Sequence, residues 1–313
     1  MRVLSLFDGI CCGHLALERA GIKIDSYDAY EIEKSAIKAT QANFPDVVQH
    51  GDVTKEDFTK YRGKIDLLIG GSPCTNLSSA GNRQGLKGNQ SKLFYEYARA
   101  LEEVQPKYFL LENVIMKKEW EDIITNILGV EPIEINSALV SAQNRRRLYW
   151  TNIPNVTLPK DKNITLADIL EDIEFPNPAA IRGRRLNKAT IVGRRLDENG
   201  HRQDYDKTIP ITQCLEVRAS NTDKSNCLTT VDKDNVLTPL PVGRYPDAFK
   251  NNLLFRYYTT KEMCRLQTVP DDFLNMIHPR AARKALGNGW TVDVIAHIFS
   301  FLPDEYKIPE EIV

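Results

Sequence analysis

The sequence predicts an α/β fold in which a largely parallel sheet flanked by helices is interrupted by a smaller β-rich segment. Three observations carry this. Residues 1–155 alternate short apolar runs with helical stretches, the rhythm of strands joined by crossover helices. From 156 to 252, prolines, asparagines and short β-like runs replace that rhythm and no long amphipathic helix is evident. Helical periodicity returns within 253–313. The expectation is a first domain, an inserted small domain, and a C-terminal segment that rejoins the first.

In order along the chain, Val3-Leu4-Ser5-Leu6-Phe7 reads as a strand and His14 to Ala20 as a helix stopped at Gly21. Ile24 to Tyr30 reads as the second strand, and Lys34 to Phe44 as a helix ended by Pro45. The apolar runs Ile65–Ile69 and Tyr108–Leu111 read as buried strands, with a helix over Lys92–Val104 between them. In the middle segment Ile181-Arg182-Gly183-Arg184-Arg185-Leu186 is echoed by Ile191-Val192-Gly193-Arg194-Arg195-Leu196, which fits two β-ribbon arms. Helices are expected over Thr260–Thr268 and Trp290–Leu302.

Composition narrows the class. A chain of 313 residues with a formal net charge of −1 carries no broad electrostatic signature of nucleic-acid binding, so any basic footprint is local. The six cysteines form no C-x-x-C pair and no metal-like spacing with the five histidines. That predicts reduced thiols and no metal site. The first apolar run is too short for a signal peptide, and no stretch approaches the roughly eighteen apolar residues of a membrane span. The expectation is a soluble cytoplasmic protein without membrane attachment.

Pro73-Cys74 and Glu112-Asn113-Val114 are the most telling sites, because each lies just past or at the end of a predicted buried strand. A thiol and a carboxyl at the carboxyl ends of neighbouring parallel strands face one crevice. Together they suit addition to an electron-poor ring: the thiolate attacks a carbon while the acid holds or protonates a ring nitrogen. Upstream, Phe7-Asp8-Gly9-Ile10-Cys11-Cys12-Gly13 joins the first strand to the first helix, with glycines that permit a tight turn against a ligand. Its spacing is not G-x-G-x-x-G. Glu31, at the end of the second strand, is placed to accept ribose hydroxyls, and Asp52 to accept from an adenine amino group.

These residues, in this order, resemble the DNA (cytosine-5) methyltransferases. Phe7-Asp8-Gly9-Ile10 is similar to that family's S-adenosylmethionine loop, and Glu31-Ile32 and Asp52-Val53 to its ribose and adenine contacts. Gly71-Ser72-Pro73-Cys74 resembles the catalytic cysteine motif, Glu112-Asn113-Val114 the glutamate motif, and Gln143 to Arg147 the Gln-x-Arg-x-Arg pattern. Cys227-Leu228-Thr229-Thr230 resembles the segment that organises the recognition domain, and Gly287-Asn288-Gly289-Trp290 the closing cofactor motif. The aspartate in the first loop, Ser-Pro-Cys, and Gly-x-x-Trp-Thr-Val lean toward the vertebrate de novo branch and its phage and bacterial look-alikes. Cys11-Cys12 and Gly289 depart from the residues usual at their positions.

The resemblance implies a Rossmann-like S-adenosylmethionine-dependent methyltransferase domain, with a mixed sheet and helices on both faces, plus a smaller β-rich target-recognition domain. It implies methyl transfer to C5 of cytosine in double-stranded DNA, with Cys74 adding to C6 of a flipped-out base. Glu112 would act at N3, Arg145 on the base's O2, and Arg147 as a brace, through Glu112. Cofactor contacts are expected from Phe7, Asp8, Gly9, Ile10, Cys11, Cys12, Glu31, Ile32, Asp52, Val53, Pro73, Asn288 and Trp290. The polar, glycine-punctuated stretch Ser78–Gln90 reads as a loop over DNA, with Arg83 and Lys87 near phosphates.

Six basic residues and no acidic one lie between Arg182 and Arg195. Arg182, Arg184, Arg185, Arg194 and Arg195 are therefore expected at the DNA, with Arg218 beyond them. A monomer is expected, with a cognate restriction endonuclease as a candidate partner. The competing readings are a transfer-RNA methyltransferase of the same family and a non-catalytic DNA-binding subunit. The large basic insert argues against the first, and the intact Cys74, Glu112 and Arg145 against the second.

Overall fold

The computed structural model describes residues 1–73, 92–173, 186–220, 222–246 and 255–309. Cys74, Arg83, Lys87, Arg182, Arg184 and Arg185, and with them the stretch Ser78–Gln90, lie outside the described residues.

Seven strands form the larger sheet: β1 (Arg2–Leu6), β2 (Ser26–Tyr30), β3 (Val48–Gln49), β4 (Leu67–Gly70), β5 (Tyr108–Val114), β6 (Ile133–Asn136) and β7 (Arg146–Thr151). Their order is β3-β2-β1-β4-β5-β7-β6. The pairs from β3 to β5 are parallel, while β7 runs antiparallel to both β5 and β6. The sheet is thus mixed, as expected. β4 is buried along its whole length, which explains its unbroken apolar run: a strand covered on both faces needs no polar alternation. From β1 the chain first builds outward to β2 and β3, then crosses back to lay β4 and β5 on the other side. The order reverses between β1 and β4, so the loops after these two strands diverge and leave a crevice at their carboxyl ends.

Among the described residues, this first stretch also holds α1 (Cys12–Arg19), α2 (Lys34–Asn43), α3 (Leu93–Val104) and α4 (Lys118–Leu128). α3 buries Phe94, Tyr97, Ala100 and Val104, a stripe spaced by three and four residues. The sequence pattern does not reveal α4, β6 or β7. In α4 the isoleucines are divided between core and solvent, with Ile124 buried and Ile123 and Ile127 exposed, which blurs its apolar stripe.

After the short α5 (Leu166–Ile169), an antiparallel five-stranded sheet follows. It comprises β8 (Asn187–Arg195), β9 (Ile211–Val217), β10 (Val236–Thr238), β11 (Gly243–Tyr245) and β12 (Arg256–Tyr257), in the order β11-β9-β8-β10-β12. Ala189 and Ile191, two apart on β8, meet Leu215 and Val217, two apart on β9, in a small core with Val236 and Phe255. The chain closes with α6 (Thr260–Leu266), α7 (Pro279–Asn288) and α8 (Val292–Phe299), the last packed on α1. β12 pairs with β10, so small-sheet pairing extends beyond residue 252. Arg256 of β12 donates two 2.7 Å bonds to Glu262 of α6, which has no exposed surface. Removing one partner of such a buried pair typically costs about 3–5 kcal/mol, so this link fastens the small sheet to the C-terminal helices.

Among the described residues no helix is long and apolar enough to cross a membrane. No group of three or more His, Cys, Asp or Glu able to hold a metal occurs among them either.

Candidate active site

The crevice is one cavity of about 1080 Å³, lined from the first loop at one end to β5 and β7 at the other. At the first end, Phe7, Gly9 and Cys11 all have positive φ, between 57° and 62°. Three left-handed residues in five positions fold the β1–α1 connection back on itself. Glu31 holds that turn. Its Oε2 accepts from the Gly9 amide (2.8 Å), and its Oε1 from the amides of Ile32 (2.7 Å) and Glu33 (2.8 Å).

Asp8 is fastened from below, its Oδ1 accepting from the Ser5 hydroxyl (2.6 Å) and the Tyr27 phenol (2.8 Å). Its Oδ2 is buried and has no hydrogen-bond partner among the described residues. Burial pushes the Asp8 carboxyl up to about 6 against the pull of the Ser5, Tyr27 and Cys11 hydrogen bonds. Asp52 caps the turn that follows, accepting from the Thr54 amide and hydroxyl at 3.0 and 2.8 Å. These bonds hold its carboxyl below the usual range.

At the second end, Gly71, Ser72 and Pro73 follow β4 directly. Glu112 on β5 is buried, with both oxygens held: Arg147 Nε lies 3.0 Å from Oε1, and Trp290 donates its indole N–H to Oε2 at 3.1 Å. Asn113 donates to the carbonyl and hydroxyl of Ser72 at 3.3 and 3.2 Å, tying β5 to the loop that precedes Cys74. A Cβ at Gly71 would stand 2.9 Å from the Trp290 indole nitrogen, so only glycine lets this loop lie against the tryptophan. Likewise a Cβ at Gly287 would meet the Thr229 backbone at 2.5 Å. Glycine there allows α7 to close on the Cys227–Thr230 segment.

Most of the expected residues converge on this cavity. Phe7, Asp8, Gly9, Ile10, Cys12, Glu31, Ile32, Asp52, Val53, Pro73, Asn288 and Trp290 line it, as do Glu112, Arg145 and Arg147. Cys11 does not. It is the residue before α1, it has no exposed surface, and burial pushes its thiol well above the ordinary range. Cys12 reaches the wall, but burial pushes its thiol up to about 12 and makes it inert.

Arg145, expected at the base's O2, is bonded here to the protein's own main chain. Its guanidinium is nearly inaccessible, and it donates to the carbonyls of Leu228 (3.0 Å), Gly287 (3.2 Å) and Gly289 (2.8 Å) and to Cys227 Sγ (3.3 Å). These bonds fasten the Cys227–Thr230 segment to the end of α7.

The described part of the basic stripe is also committed within the small sheet. Arg194 pairs with Glu216 and lies 3.7 Å from Asp204, and Arg195 donates to the Ile209 carbonyl. Acids outside the 182–195 window thus fold back onto Arg194 of β8, whereas the side-chain partner of Arg195 is a neutral carbonyl. Arg218 is largely exposed, with one bond to Glu216.

Sequence reasoning missed the α7 side of the cavity, where His278, Arg280 and Lys284 line the rim. Lys284 reaches Glu33 at 2.5 Å across the mouth. Pro279 at the first turn of α7 was the available signal.

The family model for C-5 cytosine-specific DNA methylase matches residues 1–128. Type II methyltransferase M.Eco47II of Escherichia coli is 44% identical over 323 residues, covering 93% of this chain and 76% of that one. Type II methyltransferase M1.ScrFI of Lactococcus lactis subsp. cremoris is 30% identical over 313 residues, covering 94% and 76%. Among solved structures, the EhMeth methyltransferase of Entamoeba histolytica has a TM-score of 0.69 at 18% identity and covers 98% of this chain and 99% of that one. The S. pombe Dnmt2 methyltransferase has a TM-score of 0.66 at 20% identity and covers 96% and 98%. At these identities the structural likeness is one of fold.

Proposed function

We propose, for a chain that belongs to the C-5 cytosine-specific DNA methylase family and is therefore an enzyme, that it methylates C5 of cytosine in double-stranded DNA within a short recognition sequence. S-adenosylmethionine would be the donor and Cys74 the nucleophile. The observation that carries this reading is the single cavity, because it places a nucleoside-type loop and the Pro73–Glu112–Arg147 constellation on one continuous wall.

The residues fit the donor. Asp8 Oδ2, buried in the wall without a partner, suits a cationic ligand better than a neutral one. Glu31 and Asp52 would take the ribose and adenine, and Trp290 would lie beside the donor. When bound, the donor supplies an electrophilic methyl group.

The protein's own residues do the rest. The Cys74 thiolate adds to C6 of the extruded cytosine and moves electron density to C5, which takes the methyl. A base then removes the C5 proton, and the C6–sulfur bond breaks to restore the ring. Glu112 sits at N3 of the base, aligned by Arg147 and the Trp290 indole. Arg147 lines the cavity beside it and is assigned the contact with O2. Arg145, with its donors spent on main-chain carbonyls, is a positioning residue. The segment 156–252 would form most of the target-recognition domain. The protein would act in the cytoplasm as a monomer, with a cognate endonuclease as a candidate partner.

The test is transfer of labelled methyl from S-adenosylmethionine to unmethylated genomic DNA and, separately, to total transfer RNA. Label in DNA as 5-methylcytosine supports the reading, and label in RNA alone replaces it.

A further inference from the structure

Three arginines from different segments of the small sheet meet one buried carboxylate, Glu216 on β9. Arg194 of β8 donates Nε to Oε1 (2.9 Å) and Nη2 to Oε2 (3.3 Å). Arg244 of β11 donates Nε to Oε1 (2.9 Å), and Arg218, just past β9, donates Nη2 to Oε2 (3.3 Å). Burial opposes ionisation of Glu216, yet the bonds from Arg194 and Arg244 outweigh it and hold its carboxyl at about 2.

The three arginines are not equivalent. Arg194 is spent, since its remaining Nη1 bonds the Gly193 carbonyl and lies 3.7 Å from Asp204. Arg244 is held differently. It stands directly opposite Glu216 in register, on the strand at the outer end of the sheet, and only its Nε is engaged. Among the described residues neither of its terminal nitrogens has a partner.

A guanidinium pinned at Nε has its plane fixed and two parallel N–H groups pointing outward. That fork matches adjacent acceptors such as O6 and N7 of guanine. The same fork also pairs bidentately with a phosphate, but a phosphate contact would weaken methylation at every site alike, whereas a guanine contact acts at one position of the motif. The orientation, more than the charge, is what the buried carboxylate provides.

We infer that Arg244, aimed by Glu216, reads a guanine in the recognition sequence. The inference rests on the DNA reading above and adds a specificity-determining residue to it. Glu216 acts through Arg244 and is a positioning residue.

The experiment maps 5-methylcytosine at base resolution on the same genomic DNA after treatment with wild type, Arg244→Lys, Arg244→Ala or Glu216→Gln. Lysine keeps the charge and loses the fork, while glutamine keeps the fork and weakens the anchor, leaving one neutral acceptor oxygen where the carboxylate has two. All three variants are expected to relax the motif at one shared position other than the target pair. There the preference for guanine falls about tenfold or more, while the other positions hold. Should Glu216→Gln fail to fold, judged by its melting curve, the two Arg244 variants carry the test. An unchanged motif, relaxation at unshared positions, or a uniform loss at every site overturns the inference while leaving the methyltransferase reading intact. A wild-type chain that methylates no DNA overturns both.

Discussion

Arg145 and Arg147 are two residues apart, line the same cavity and separate cleanly under truncation. In Arg145→Ala the carbonyls of Leu228 and Gly287 lose their arginine donor. The Gly289 carbonyl retains the Gln267 amide at 3.2 Å. Hydrogen bonds to a charged group contribute about 1.5–3 kcal/mol each, so losing these two, with the Leu228 carbonyl left to the Cys227 thiol at 3.4 Å and the Gly287 carbonyl partly buried, costs about 4 kcal/mol. Arg147→Ala removes one partly buried ion pair while Glu112 keeps the Trp290 indole, a cost of about 1–2 kcal/mol. Urea unfolding followed by tryptophan fluorescence measures the first difference, and single-turnover methylation at 20 °C measures the second. Arg145→Ala should shift the unfolding midpoint down by about 1 M, with residual activity tracking the folded fraction. Arg147→Ala should fold almost normally and lose about a hundredfold or more in the transfer step. An Arg145→Ala protein within about 1 kcal/mol of wild type that is nonetheless inactive would refute this division of labour and return Arg145 to the base.

Three further outcomes are expected. The rise of the Asp8 carboxyl from its ordinary 3.8 to about 6 corresponds to about 3 kcal/mol. Because the folded-state value lies above the unfolded one, the penalty is fully present above pH 6 and fades as pH falls toward 4. Asp8→Asn should therefore stabilise the ligand-free protein at pH 7.5 by about 1–3 kcal/mol and progressively less toward pH 4, read by urea titrations across that range. Glu112→Gln should leave the melting temperature within a few degrees of wild type and slow transfer about 10²- to 10⁴-fold, measured by single-turnover kinetics. Gly71→Ala places a Cβ 2.9 Å from the Trp290 indole nitrogen and 3.1 Å from Glu112 Oε2. It should slow transfer about a hundredfold, with little change in the unfolding midpoint.

The strand ends that build the site were legible because each carries its own local signal. The buried run before Pro73, the run before Glu112, and the acids Glu31 and Asp52 all follow from periodicity and the βα rhythm. What sequence spacing left unread depends on partners far along the chain. Arg145, just before β7, and Arg147, within it, both line the cavity, whereas Arg146 between them turns away to Glu134. What separates the two roles is Leu228, Gly287 and Glu112, none of them near in sequence. Within the basic stripe the engagement of Arg194 is unreadable for a similar reason, since its acid is Glu216, on the neighbouring strand. Arg244 carried no signal alone. Its meaning comes from standing opposite that same carboxylate.

In the proposed reaction Cys74 adds to the base within the cavity that would also hold the donor. Another thiol competes for that role: Cys227, whose sulfur lies 3.3 Å from an Arg145 nitrogen and 3.8 Å from one of Arg147. The deciding measurement treats the protein and S-adenosylmethionine with duplex DNA carrying 5-fluorocytosine in its recognition sequence, followed by digestion and peptide mass spectrometry. Fluorine at C5 removes the proton whose loss releases the enzyme, so the adduct should persist. The expected result is a denaturant-stable complex with the methylated base bonded to Cys74, and no complex from Cys74→Ala. Attachment at Cys227, or methylation of ordinary DNA with no trapped adduct at Cys74, would contradict it.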